Sequence, residues 1–255
     1  MTDAKIFQAY SRYYDLLYSD KNYYAESEYV VNLLRKYAVP GSDILEFGCG
    51  TGKHGRILAA RGFRVTGIEQ SANMVEKACS SDKFKCIHGD IRTIDLSYQF
   101  DAVVSLFHVI SYQVLNEDIM AVFSRAAQHL GLGGLFVFDV WYSPAVLSQR
   151  PTVRIKRMSD EFVNVTRIAE PVVHSNVNRV DVNFMIIVQD KHTEFIEQFR
   201  ETHSMRHFSL PEIDLLADAN GFERIGAEEF LSGKEPGEDT WGVCVVLRKR
   251  SKFND

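Results

Sequence analysis

The chain has 255 residues, 45% of them hydrophobic and 25% charged, with a formal net charge of -5 at pH 7. That length and composition suit one large core-forming domain, or one domain with an elaborated insert, and exclude disorder as the default state. The negative balance gives no general attraction to nucleic acid or an anionic membrane, no apolar run is long enough to cross a bilayer, and no basic segment leads into a signal-type stretch, so neither is an expected partner and a cytoplasmic location is expected.

From the N-terminus, Phe7, Tyr10, Tyr13, Tyr14, Tyr18, Tyr23 and Tyr24 form an aromatic run suited both to packing on a sheet and to closing over a cation, and residues 1–40 read as a helical aromatic lid. Tyr29, Val30, Leu33 and Leu34 recur at helical spacing within residues 24–38, before Pro40 and Gly41 break the pattern. Apolar strands and amphipathic helices then alternate. Strands are predicted at Asp43–Phe47, Arg64–Glu69, Phe84–His88, Phe100–Leu106 and Leu135–Val140, parallel to one another because helical crossovers separate them. Residues 41–150 therefore read as an α/β core with helices on both faces. Cys49, Cys79, Cys86 and Cys244 show no close metal-ligand pair and no disulfide framework, and read as reduced packing thiols.

The first strand runs into Gly48-Cys49-Gly50-Thr51-Gly52, a glycine-rich turn that opens a helix, and Glu69 ends the second strand at about the spacing of a ribose-binding carboxylate. This arrangement predicts a nucleoside cofactor site. A dinucleotide fold would set a diphosphate on the following helix terminus, and Glu46, just before the turn, opposes that anion while suiting the amino end of an amino-acid-bearing cofactor. Gly48 and Gly50 permit close chain approach, Gly52 permits tight packing, and Glu69 can accept from both ribose hydroxyls. The run Glu46-Phe47-Gly48-Cys49-Gly50-Thr51-Gly52 resembles the first motif of the class I S-adenosylmethionine (SAM) methyltransferases. In that resemblance Asp90 and Ile91, after the third strand, match residues that accept from the adenine amino group and pack its ring. Met74 and Leu106 could add apolar walls. The plain structural readings are a helix-capping Asp and core aliphatics.

Beyond the fourth strand, His108 and Tyr112 are the candidate acceptor-orienting residues, on one helix face if the strand exit is helical. A helix starting near Asn116 is expected to end at a Gly133-Gly134 cap. Residues 151–206 then depart from the alternation: Thr152–Arg157, Phe162–Ile168, Val180–Val188 and Phe195–Phe199 are β-branched and aromatic, and read as an antiparallel insert for acceptor binding or dimerisation. Residues 207–255 complete the core, with a helix capped by Ser209 and running toward Asn220, and strands at Phe222–Glu229 and Thr240–Arg248. Arg248-Lys249-Arg250 with Lys252 reads as a solvated basic terminus. The fold expected is a doubly wound, seven-stranded, mostly parallel sheet of the class I methyltransferase type, with an antiparallel β-rich insertion after strand 5.

The order Tyr10-Ser11-Arg12-Tyr13-Tyr14-Asp15, the later Tyr24, the glycine turn and the late insert resemble the nucleotide-linked amino-sugar N-methyltransferases of macrolide-sugar biosynthesis, over most of the chain. The resemblance implies SAM as cofactor, S-adenosylhomocysteine as product, a nucleotide-linked amino sugar as acceptor and a homodimer, while the lack of a tight ligand array among the histidines leads to no metal being expected. It places Tyr14 and Tyr24 near the cofactor carboxylate and Glu69, Asp90 and Ile91 on ribose and adenine. The chain departs from the pattern where a family tyrosine aligns with Phe7 and a family histidine with Tyr112, and His108 could supply the missing polar function. His88, His174, His192, His203 and His207 accompany no tight ligand array, and which of Arg154, Arg157, Arg167, Arg179 and Arg206 converge on a diphosphate is open. Transfer to oxygen or carboxylate, and a non-catalytic SAM-binding protein, are the alternative functions.

Overall fold

The computed structural model describes Tyr13 and residues 16–250. Helix α1 (Tyr23–Lys36) starts at Asn22, whose side chain accepts from the Ala25 N–H. The core then alternates through β1 (Asp43–Phe47), α2 (Lys53–Ala60), β2 (Arg64–Glu69), α3 (Ala72–Lys77), β3 (Phe84–His88), β4 (Phe100–Ser105), α4 (Asn116–His129), β5 (Leu130–Tyr142) and α5 (Ser143–Gln149). After an inserted ladder come α6 (Leu210–Ala219), β10 (Phe222–Glu229) and β11 (Gly242–Lys249). Pairing is parallel in the order β3-β2-β1-β4-β5; β11 adds antiparallel to β5, and β10 antiparallel to β11. This is a mixed, mostly parallel sheet of the class I methyltransferase type.

Strict alternation along the central strands explains why the sheet is covered on both sides. Leu45, Val103, Phe136, Phe138 and Val245 point to one face, where Ile119, Val122 and Phe123 of α4 and Ile213 of α6 cover them. Ile44, Ala102, Val104, Val137 and Val246 point to the other, under Val30, Val31 and Leu34 of α1 and Leu58 of α2. Each fully buried aliphatic or aromatic side chain of this kind contributes about 1.5–3 kcal/mol.

Two local expectations are corrected. Helix α4 ends at His129, and the glycines lie inside β5, which pairs Leu130 with Phe100 and then Leu135 with Ala102, so that Gly133 (φ 75°) sits in a bulge. The helix's last carbonyls are satisfied by a lysine instead: Lys249 Nζ donates to the carbonyls of Ala127 and Leu130 at 2.6 Å. The basic terminus is likewise engaged with the fold, since Arg248 donates to the Tyr37 carbonyl and Arg250 to Asp218.

The insert comprises β6 (Arg154–Ser159), β7 (Val163–His174), β8 (Arg179–Asp190) and β9 (Ile196–Phe208), paired antiparallel throughout. Strand β6 is shifted by two residues from the expected one while β7, β8 and β9 are longer than expected, and β9 crosses residue 206 because His207 and Phe208 pair in parallel with Trp141 and Tyr142 at the end of β5. Strand β5 thus forks, with β11 along its body and β9 at its tip. Leu17, Val165, Ile186 and Val188 form a small core that joins the N-terminal segment to this ladder. Among the described residues no helix is long and apolar enough to cross a membrane, and no group of three or more His, Cys, Asp or Glu could hold a metal ion.

Candidate functional site

The carboxyl ends of β1, β2 and β4 open on one cavity of about 950 Å³, the place where parallel sheets receive ligands. At its floor, the N–H groups of Gly48 and Cys49 both donate to the Ile68 carbonyl, at 2.8 and 3.1 Å, which pins the glycine turn to β2. Gly48 (φ 69°) has no room for a side chain, since a Cβ would lie 2.5 Å from Val109. Gly50 (φ 56°) differs: a Cβ there would meet nothing nearer than Met74 Sδ at 3.9 Å, so the backbone borders open space. A ligand can lie directly against it.

Glu69 Oε2 accepts from the Gly50 N–H at 2.9 Å and Oε1 from the Ser71 N–H at 2.8 Å. Burial pushes its carboxyl above the ordinary range, against the pull of those N–H groups. Each oxygen accepts once from the backbone and keeps capacity to accept from a ribose hydroxyl. Met74, Ile91 and Leu106 line the cavity as buried apolar walls. Asp90 lines it too, with its carboxylate bridged by the Arg92 guanidinium at 2.7 Å, and Arg92 also reaches Asp118 at 3.2 Å. Burial raises the Asp90 pKa, but the Arg92 bonds outweigh it and the group stays below the ordinary carboxylate value. An open glycine edge, a diol acceptor and an apolar slot flanked by a carboxylate fit the nucleoside of SAM.

Three expected cofactor residues do not line the cavity. Tyr24 is 57% exposed and bonded to Arg61 on the outer surface; Tyr23, about 100° around the helix, faces the cavity instead. Gly52 is the N-cap of α2 and packs against the Phe84 ring. Glu46 is buried behind the turn, where its Oε2 has no hydrogen-bond partner and a Cβ on Gly55 would come within 2.5 Å. Burial, then the charges of Cys86 and Glu69, push its pKa up to about 8. Phe7 and Tyr14 lie outside the described residues.

The exit from β4 is not an α-helix. Phe107 and His108 both have left-handed backbone (φ 67° and 62°), followed by a 3-10 turn at Val109–Tyr112. His108 and Tyr112 therefore do not share a helix face; each is fixed by its own partner while both line the cavity. His108 Nδ1 lies 2.7 Å from Asp139 Oδ2. The Tyr112 hydroxyl pairs with His203 Nδ1 at 2.9 Å, and His203 Nε2 is 3.3 Å from Glu201. Burial pushes the Tyr112 phenol well above its ordinary range, so it stays protonated. The insert adds Arg154, Arg167, Phe184 and His203 to the wall, and Arg167 Nη1 donates to the Tyr18 hydroxyl at 3.1 Å.

Asp139 escaped the sequence reading. It had a signal: a lone carboxylate in the run Leu135-Phe136-Val137-Phe138-Asp139-Val140, which is too apolar to leave an unpaired charge. A second missed cluster backs the cavity: Glu26 Oε2 lies 2.7 Å from both Lys21 Nζ and His54 Nε2, and Lys21 stacks 3.5 Å from the Phe107 ring centre.

Residues 44–134 match the family described as a methyltransferase domain. Over longer spans the chain is similar to the dTDP-3-amino-3,4,6-trideoxy-alpha-D-glucopyranose N,N-dimethyltransferase of Streptomyces venezuelae, at 28% identity over 88% of this chain and 92% of the relative. It is also similar to the dTDP-4-amino-2,3,4,6-tetradeoxy-D-glucose N,N-dimethyltransferase of Saccharopolyspora spinosa, at 28% identity over 92% of this chain and 91% of the relative. In fold it resembles the sugar N-methyltransferase KedS8 of Streptoalloteichus, with a TM-score of 0.80 and 21% identity over 98% of this chain and 95% of the other.

Proposed function

We propose that the chain is a SAM-dependent methyltransferase that methylates the amino group of a nucleotide-linked amino sugar and releases S-adenosylhomocysteine, a reading supported by its similarity to the sugar N,N-dimethyltransferases. The observation that carries this reading is the composite cavity. Its floor suits the cofactor nucleoside, and the rest of its wall sets the polar His108, Tyr112, Arg154, Arg167 and His203 among apolar groups such as Trp141, Phe184 and Trp241. At about 950 Å³ it stands at the upper end of ordinary small-molecule sites, with room for cofactor and acceptor together. The two named relatives act on amino groups at different ring carbons, which supports nitrogen as the acceptor and leaves its ring position open.

When bound, SAM supplies a methyl carbon whose bond to sulfur breaks with its electron pair as the acceptor nitrogen forms the new C–N bond. The chain's own work is orientation and exclusion of water, which removes rotational freedom before reaction. Glu69 holds the ribose, Asp90 and Ile91 the adenine, and the glycine turn lets the backbone approach. His108 and Tyr112 orient the acceptor from separate anchors, and the cationic Arg154 and Arg167 attract its diphosphate. In this reading the N-terminal segment closes the cavity and the insert selects the acceptor. Mass spectrometry of products from matched amino-sugar and hydroxyl-sugar nucleotides tests it. Methylation of the amino compound is expected, and modification of the hydroxyl compound alone overturns it.

A further inference from the structure

We infer that Asp139 and His108 form a proton-accepting pair, with His108 Nε2 taking the proton from the acceptor nitrogen and Asp139 positioning the ring; this rests on the amine-methylation reading. Asp139 sits in mid-strand, 1% exposed, between the buried Phe138 and Val140. A carboxylate taken out of water there is costly unless paired. Among the described residues its close contacts are with one residue's two ends: both oxygens accept from the His108 backbone N–H at 3.2 Å, and Oδ2 lies 2.7 Å from His108 Nδ1. The ring contact lies off the hydrogen-bond line. Such bonds commonly align only when substrate is present.

The backbone explains how one residue presents both groups. Left-handed conformations at two successive non-glycine residues, Phe107 and His108, cost about 1–2 kcal/mol each. They turn the His108 N–H and ring together toward β5. With Nδ1 buried against Asp139, the opposite ring edge carries Nε2, to which no described residue is hydrogen-bonded, on the side of the cavity that His108 lines. The other two cavity histidines are already committed: His54 has Nε2 2.7 Å from Glu26, and His203 has Nδ1 on Tyr112 and Nε2 beside Glu201.

An ionised Asp139 favours the proton on Nδ1, which leaves the Nε2 lone pair to accept. When an ammonium form of the acceptor enters, an N–H bond breaks, its electron pair remains on nitrogen as the nucleophile, and Nε2–H forms. The resulting imidazolium is balanced by the Asp139 carboxylate, and its proton then passes to water. The same transfer strips the ammonium left by a first methylation and so readies the nitrogen for a second.

The test is the tautomer of His108, read by 15N NMR of histidine-labelled protein without cofactor or acceptor and assigned by loss of its signal in His108→Gln. The wild type is expected to carry the proton on Nδ1. In Asp139→Asn the amide oxygen is needed by the His108 N–H, which turns the NH2 toward Nδ1 and moves the ring proton to Nε2. With the amino acceptor, kcat in Asp139→Asn should fall about 100-fold or more while SAM affinity and acceptor KM change less than about threefold. An Nε2-protonated ring in the wild type, or an unchanged kcat in the folded variant, overturns the pair. If Asp139→Asn does not fold, the wild-type tautomer decides alone. Failure of the acceptor reading shows separately, as no turnover of any amino sugar.

Discussion

Glu46 and Glu69 lie at the carboxyl ends of neighbouring strands, yet among the described residues only Glu69 has backbone N–H groups to share its charge. Glu46 has none and is pushed to about 8. Its folded pKa exceeds the unfolded value, so between about 4.5 and 8 the native state holds a proton that the unfolded chain has released, and stability falls as pH rises through that window. Glu46→Gln should flatten that slope, by on the order of 5 kcal/mol across the window, in urea unfolding at several pH values. Because Glu46 does not reach the cavity, SAM affinity by calorimetry should stay within about twofold; a large loss would restore the direct cofactor contact. Glu69→Ala should instead weaken SAM by about 1–3 kcal/mol, since it leaves buried donors unpaired. Both carboxylates stood out in the sequence as strand-end acids beside a glycine turn. What separates them is which way each side chain leaves its strand, and Tyr24, one residue from the cavity-lining Tyr23, was misplaced for the same reason.

At the scale of elements, β1, β2 and β3 were legible to the residue because each is a short apolar run bounded by turn signals. The insert strands were located but underestimated. Their residues alternate between half-buried and exposed, and polar stretches such as Arg200-Glu201-Thr202-His203-Ser204 hide strand continuity. The β4 exit defeated helical spacing because two left-handed residues are invisible to periodicity. The fork at the β5 tip carries a titratable joint: buried His207 meets Ser143 Oγ at 2.8 Å, and burial, with the nearby Arg206 charge, lowers its pKa to about 4. The unfolded chain binds a proton there below about 6.5 while the native state resists, so the joint's contribution is intact above that pH and is lost as pH falls toward 4. His207→Asn should reduce the acid-side loss of stability, seen as a smaller drop in melting temperature between pH 7 and pH 4. An unchanged slope would assign the acid sensitivity elsewhere.

For the molecule as a whole, the homodimer expected from the family resemblance is carried as a proposal, with the insert as its contact. The outermost strand β6 is basic, with Arg154 on the cavity wall, Lys156 bonded to Asp20 and Arg157 beside them, and charged residues on an edge strand disfavour edge-to-edge pairing. The exposed Phe162, Phe195 and Ile196 at the far end of the ladder are the apolar alternative. Mass measured across a concentration series should show a dimer at working concentrations; a persistent monomer overturns it.

The position of β11 has a consequence for how the chain reaches this state. It lies between β5 and β10, so a strand made late becomes an interior one. Until residues 242–249 leave the ribosome, the body of β5 from Leu135 to Trp141 has an unpaired flank that is apolar on both faces, and α4 lacks the lysine that satisfies its last carbonyls. The nascent core therefore stays open on that side until β11 has emerged. An exposed flank of this kind is the segment at which chains cross-pair and aggregate, so strand order gives the folding chain an aggregation-prone interval before closure.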